Sequence, residues 1–373
     1  MVVMPLDFLF RWLAGLLSIA LLGSGIYILH QWYERELIDR AWLIAGWAIV
    51  VWSVVGFLPL AILFRRPGRD EPKMQRSSTT ERISRPDGSE IHVEFYGSPD
   101  APPLILTHGW GPNSTVWYYA KKQLANDYRV IVWDLPGLGK STKPQNRDYS
   151  IEKYARDLEA VLQLAGDQPA ILLGHSIGGM ILLTFCRLFP EQLNQRVAGL
   201  ILVDTTYTNP LKTTIFSRLL TVLQKPLLEP LLYLTIALSP VLWLISGLSY
   251  LNGMMYITTE ISGFTGRETR GQLDFSTRLG LLGSPGVLAR GVLAMFRFDE
   301  TNTLPNINVP VRVIAGDADI ATLFSANRRL SDGIPDAELV KLRPAGHMGL
   351  IERNAEFAEA VRSFLVLQSK PAQ

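Results

Sequence analysis

A serine stands in the pattern Gly174-His175-Ser176-Ile177-Gly178, after the apolar run Ala170-Ile171-Leu172-Leu173 and before Met180-Ile181-Leu182-Leu183. A buried strand that turns sharply into a helix would hold Ser176 in the bend and present its hydroxyl at the sheet edge. Gly174 and Gly178 suit that turn, because a side chain there would collide where the backbone doubles back. The amide of Ile177, at the helix start, is placed to meet a developing oxyanion. Serine is a weak nucleophile at neutral pH, so this reading requires a base and an orienting acid.

The chain has five histidines, which allows elimination. His30 ends a long apolar helix, His92 lies mid-strand, and His108 belongs to a Gly-rich loop. His175 adjoins the serine, where the backbone points it elsewhere. His347 remains, in the small-residue segment Pro344-Ala345-Gly346-His347-Met348-Gly349-Leu350, between the last strand and a helix beginning near Asn354. A loop at the C-terminal end of a strand can bring that imidazole to the serine.

The base needs a carboxylate. Gly316-Asp317-Ala318-Asp319 follows directly on the apolar segment 311–315. Asp319 is the first choice, since a position a few residues beyond the strand end lets the side chain reach the histidine loop. Asp204, at the end of the preceding strand, is the alternative acid, and Asp317 is a third candidate or a cap for the following turn. The oxyanion needs a second donor besides Ile177. Thr107-His108-Gly109-Trp110-Gly111 ends another strand, and its glycines let the backbone come close to a substrate, which makes the Trp110 amide the expected donor.

These residues need a scaffold that gathers strand ends. Segments 82–84 and 90–95 flank a Pro86-Asp87-Gly88 turn and read as a hairpin. Short apolar runs at 104–107, 129–133, 170–173, 200–203, 311–315 and 337–341 read as strands. Amphipathic stretches lie between them, such as Ile151 to Ala165 with Tyr154, Leu158, Val161, Leu162 and Ala165 on one face. Continuous apolar strands alternating with helices imply an α/β fold with a mostly parallel sheet covered on both faces.

The alternation stops between Thr205 and Asn308, which reads as an inserted helical cap. Pro230 to Thr259 carries no charged residue. A single membrane span there would split one sheet across the bilayer, and Pro230, Pro240, Gly247 and Gly253 interrupt the run. The two remaining readings are a lipophilic lid at the bilayer surface and a cap helix buried on the core.

Of the 373 residues, 48% are hydrophobic and 19% charged, and the apolar surplus lies at the N-terminus. From Phe8 to Leu29 the only charge is Arg11, and from Ala41 to Phe64 there is none, so helices of about 8–30 and 41–64 are expected to cross a membrane. Trp12, Trp32 and Trp42 suit its interfaces. Arg65, Arg66, Arg69, Lys73 and Arg76 outweigh Asp70 and Glu71 after the second helix, which predicts a hairpin with both ends and the catalytic domain on the cytoplasmic face. A cleaved signal peptide before a single anchor is the alternative, although the first segment has no A-x-A site. The expected divisions are 1–66 membrane hairpin, 67–78 linker, 79–204 first core part, 205–308 cap and 309–373 second core part. Lone Cys186 excludes an internal disulfide, and a formal net charge of +2 gives no sign of nucleic-acid binding.

The order Ser176, Asp319, His347, with His108-Gly109-Trp110-Gly111 upstream and Asp134-Leu135-Pro136-Gly137-Leu138-Gly139-Lys140-Ser141 between, resembles the α/β-hydrolase superfamily from about Thr79 to Val366. It is most similar to the branch of lipases, esterases and C–C bond hydrolases. The resemblance implies an eight-stranded sheet with the cap between the sixth and seventh strands. It also implies Ser176 as nucleophile, His347 as base, Asp319 as acid, and Trp110 with Ile177 as oxyanion donors. Family members often carry Pro a few residues after the acid, where this chain has Ile320-Ala321-Thr322. Serine at the elbow argues against dehalogenase or epoxide hydrolase chemistry, which by resemblance would place Asp there.

Acyl transfer without a cofactor or metal is therefore expected, through an acyl-enzyme on Ser176. The anchor and a cap bearing Trp243, Tyr250 and Tyr256 favour a lipophilic carboxylic ester such as an acylglycerol or lysolipid. The other readings are a thioesterase, an acyltransferase, a C–C bond hydrolase on a hydrophobic substrate, or a scaffold of the same fold without activity.

Overall fold

The apolar runs fold into one eight-stranded sheet of order β1-β2-β4-β3-β5-β6-β7-β8 in the computed structural model, which describes residues 5–37 and 39–368. The strands are β1 Thr80–Ser84, β2 Glu90–Tyr96, β3 Pro103–Thr107, β4 Arg129–Trp133, β5 Ala170–His175, β6 Val197–Val203, β7 Val311–Gly316 and β8 Glu338–Leu342. Only β2 runs against its neighbours, pairing antiparallel with β1 and β4, while the strands from β4 to β8 are parallel. Every residue of β3, β5 and β7 is buried, as helices on both faces require. The expected mostly parallel sheet is therefore present.

Three helices precede the sheet: α1 Pro5–Tyr33, α2 Arg40–Val55 and α3 Phe57–Phe64. The core helices α4 Tyr118–Leu124, α5 Ile151–Leu162 and α6 Ile177–Leu188 follow in order. Between β6 and β7 lie α7 Ser217–Leu223, α8 Glu229–Ala237, α9 Ser239–Leu251, α10 Met254–Gly263, α11 Arg270–Leu282 and α12 Pro285–Met295. The chain ends with α13 Phe324–Gly333, α14 Gly349–Glu352 and α15 Asn354–Gln368.

Phe8–Tyr33 is long and apolar enough to cross a membrane, in line with the expectation for 8–30. The expectation of one helix over 41–64 needs correction, because the chain bends by 73° between α2 and α3. Gly56 sits at the break, where an added Cβ would lie 2.6 Å from the Trp52 carbonyl and 2.8 Å from that of Asn252. Pro59 removes a helical donor one turn further on. Ser217–Ala237 also has the length and apolarity of a span, and α9 and α10 form a second apolar pair, bent by 89°. Because β6 and β7 are parallel hydrogen-bonded neighbours, the cap must carry the chain back from the C-terminal end of β6 to the N-terminal end of β7.

Within 230–259 neither reading of the apolar segment holds alone. In α9 only Ser249 is buried, while Val241, Trp243 and Leu244 are exposed. The opposite flank of α9 packs on α1, where the Ser18 hydroxyl donates to Ser249 Oγ at 3.0 Å. The segment expected as a linker is pinned at several points. Arg65 pairs with Glu268 at 2.8 Å, Tyr119 donates to the Asp70 carbonyl at 2.6 Å, and Arg76 reaches the core.

Candidate active site

Parallel strands bring their C-terminal ends to one edge of the sheet, and the candidate residues follow from that register. Thr107 of β3 pairs with Gly174 of β5, and His175 pairs with Val203 of β6. Ser176 lies between β5 and α6 with φ 56° and ψ −120°, a backbone that L-residues rarely adopt. The tight turn depends on its glycines: a Cβ at Gly178 would lie 2.3 Å from the Thr107 carbonyl, and one at Gly174 2.4 Å from Gly178. Thr205 braces the elbow by donating its hydroxyl to the Ser176 carbonyl at 2.6 Å.

His347 sits in the loop between β8 and α14, and its Nδ1 is 2.6 Å from Asp319 Oδ2. The carboxylate makes Nδ1–H the donor, leaving Nε2 with a free lone pair, the form a general base requires. Asp319 is held by the amides of Ala321 at 2.7 Å and Thr322 at 3.1 Å, and by the Thr322 hydroxyl at 2.6 Å. The stretch Ile320-Ala321-Thr322 thus supplies three donors to Asp319. His347 Nε2 and Ser176 Oγ are both buried and without a hydrogen-bond partner among the described residues. Apo sites often show such an unclosed pair, which tightens when substrate arrives.

The other acids take different places. Asp204 accepts the Gly316 amide at 2.8 Å through Oδ1, and its Oδ2 has no partner among the described residues. Burial, and after it the neighbouring Asp319 carboxylate, push the Asp204 carboxyl well above the usual range. Asp317 accepts the Ala345 amide at 3.3 Å and pairs with Arg343 at 3.4 Å, so it ties down the histidine loop instead of capping the next turn.

The loop carrying Trp110 lies against the elbow: a Cβ at Gly109 would come within 3.4 Å of Ser176 Cβ and 2.8 Å of His175 Nδ1. Among the described residues the backbone amides of Trp110 and Ile177 make no turn, loop or cap hydrogen bond to a backbone carbonyl. His108 accepts the Leu135 amide at Nε2 (3.0 Å) and contacts the Gly109 carbonyl through Nδ1 (2.7 Å), so Nδ1 carries the proton. Full burial depresses the His108 pKa, consistent with this neutral tautomer. The Trp110 indole donates to the Leu288 carbonyl of α12 at 2.9 Å.

Several supporting groups escaped the sequence reading. Asp134 accepts the Ser114 and Lys140 amides and Arg76, each at 2.8 Å. Burial alone would raise the Asp134 carboxyl, but the charge of Arg76 and the other donors hold it below its ordinary value. The Asp134–Ser141 motif thus holds the loop that carries Trp110, through the Leu135 amide on His108 and Asp134 on the Ser114 amide. His175 Nε2 donates to the His347 carbonyl at 3.0 Å, and burial depresses its pKa well below the ordinary value. His92 lies 3.0 Å from Glu94, away from the serine.

The cap closes over this machinery. Met348 donates to the Gly263 carbonyl at the end of α10 at 2.8 Å, and Ser176 and His347 are each 1% exposed. Among the described residues no group of His, Cys, Asp and Glu is arranged to hold a metal ion.

Comparison with known proteins agrees with this architecture. Residues 102–229 match the family described as "alpha/beta hydrolase fold". The chain is 29% identical over 269 residues to the Pseudomonas syringae protein named "Putative carbamate hydrolase RutD", covering 72% of this chain and 95% of that one. It is 37% identical over 107 residues to the pimeloyl-[acyl-carrier protein] methyl ester esterase of Aeromonas salmonicida, covering 29% and 40% of the two chains. The esterase of Exiguobacterium antarcticum superposes with a TM-score of 0.61 at 22% identity, covering 78% of this chain and 99% of that one, and so shares the fold.

Proposed function

We propose that the chain is a member of the α/β-hydrolase superfamily, whose fold it shares, and a membrane-anchored serine hydrolase of lipophilic carboxylic esters. The observation that carries this reading is the 2.6 Å bond between His347 Nδ1 and Asp319 Oδ2, beside an unpartnered Ser176 Oγ in a strained elbow. His347 Nε2 takes the Ser176 proton as Oγ attacks the ester carbonyl. The Trp110 and Ile177 amides stabilise the oxyanion, and the alcohol leaves with the proton from His347. Water, deprotonated by the same imidazole, then attacks the acyl-enzyme, and the carboxylic acid departs with Ser176 restored.

The lipophilic substrate class is supported by the packing of α1 against the cap and by the exposed apolar residues of α9. An acylglycerol or a lysolipid has the single ester and long chain that suit such surroundings. In this reading α1 and the α2–α3 pair anchor the protein, and the basic residues that follow keep the catalytic domain cytoplasmic. Rapid mixing with a nitrophenyl ester tests the chemistry. The wild type should release a burst of one nitrophenolate per enzyme, and Ser176→Ala none. A burst that survives in Ser176→Ala overturns the assignment.

A further inference from the structure

The N-terminal helix does more than anchor. Its inward flank and the cap enclose an apolar groove whose walls include Trp12 and Leu16 of α1, Leu242 and Ser246 of α9, and Pro285 and Leu288 of α12. We propose that this groove receives the hydrocarbon chain of a membrane-resident substrate and leads its ester toward Ser176. The inference extends the serine-hydrolase reading and rests on it for the chemistry that follows, while chain binding itself does not depend on that chemistry.

Three observations commit the groove to a hydrocarbon occupant. First, the polar groups in its walls have protein partners, including Arg11, which donates to the Gly280 carbonyl at 3.1 Å. Trp12 Nε1 donates to Thr235 Oγ1 at 2.9 Å, Thr235 donates onward to the Leu231 carbonyl at 2.8 Å, and Ser246 donates to the Leu242 carbonyl at 2.8 Å. An alkyl chain lying against the remaining apolar walls gains dispersion contact and loses water. Second, the mouth opens among residues suited to lipid. Leu13 and Leu16 of α1 are 55% and 57% exposed, and Trp243 and Leu244 of α9 are 53% and 71% exposed. One wall is itself a helix long and apolar enough to cross a bilayer. Third, the floor touches the site: the Leu288 carbonyl holds the Trp110 indole at 2.9 Å, and Gly109, next to Trp110, abuts Ser176.

The spacing of α1 from the cap suits this use. At Gly15 an added Cβ would lie 2.9 Å from Ile245 Cγ2, so the helices touch at a small residue beside the groove. A chain lying along α1 would be shared between the bilayer and the enzyme, without first passing through water.

The test uses the full chain in phosphatidylcholine vesicles and hexadecanoic acid carrying a diazirine on its terminal carbon. After irradiation, mass spectrometry should find adducts on the α1 and α9 walls in wild type and in Ser176→Ala alike. Ser246→Trp, or Leu16→Trp from the facing wall, should reduce those adducts at least fivefold while adducts on the outer face of α2 persist. In both variants the ratio of hexadecanoyl to butyryl ester kcat/KM should fall at least tenfold. Adducts confined to outward faces, or groove adducts unchanged in both tryptophan variants, overturn the proposal. Groove adducts without fluorophosphonate labelling of Ser176 would instead reject the hydrolase reading and leave the groove standing.

Discussion

His175 and His347 are joined by a hydrogen bond from the His175 imidazole Nε2 to the His347 backbone carbonyl, at 3.0 Å. The residue before Ser176 thereby sets the position of the loop that carries His347. Their rings lie 5.0 Å apart, and burial keeps His175 neutral, so it adds no repulsive charge beside His347.

His175→Phe should lower kcat about fivefold, the value of ~1 kcal/mol for one lost hydrogen bond at a positioning contact. His175→Gln keeps an N–H donor and should recover most of the rate. Steady-state kinetics with a short ester checks this, and equal losses in both variants would show that the ring's packing matters instead.

The two carboxyls near His347 should separate cleanly. Asp319→Asn should cut kcat by about 10⁴, because the base loses its orienting acceptor and tautomer. Asp204→Asn should stay near wild type, since asparagine mimics a neutral carboxyl. Asp204 is raised in the folded state, so its stabilising contribution is complete below the ordinary aspartate value near 3.8 and declines as pH rises from there toward its folded value. Thermal melts from pH 4 to pH 8 should therefore show the wild type losing stability relative to Asp204→Asn. A constant difference would place Asp204 at an ordinary value.

Arg76 is the cation between two fully buried carboxylates, Glu94 and Asp134, each at 2.8 Å. Arg76→Met leaves both carboxylates uncompensated and should destabilise the protein by about 3–5 kcal/mol. Denaturant titration in detergent measures it, and an unchanged midpoint would mean that the juxtamembrane segment is a passive tether.

The sequence alone made the eight strands, the serine elbow and the histidine loop legible, because each rests on local pattern. Ala170–Leu173 reads as a buried strand from composition, and the glycines around Ser176 mark the sharp turn that follows. What stayed hidden depends on distant partners. Arg76 meets Asp134 across 58 positions, and Thr205 meets the Ser176 carbonyl across 29. The bend at Gly56 had local signals in Gly56 and Pro59, but an uninterrupted apolar run masked them. The apolar stretch at 230–259 reads alike whether it packs on protein or stands exposed, and α9 does both, with one flank on α1 and the other exposed.

Protease added to sealed vesicles whose cytoplasmic face is inward should leave residues 79–368 intact. Digestion of that part in unbroken vesicles would contradict the proposed topology and place the site on the other side.

The central claim is a nucleophilic Ser176 served by His347 and Asp319, and a fluorophosphonate probe tests it most directly. Wild-type protein should be labelled at Ser176, and Ser176→Ala should show none. Absence of labelling in the wild type, or equal labelling in Ser176→Ala, would contradict it.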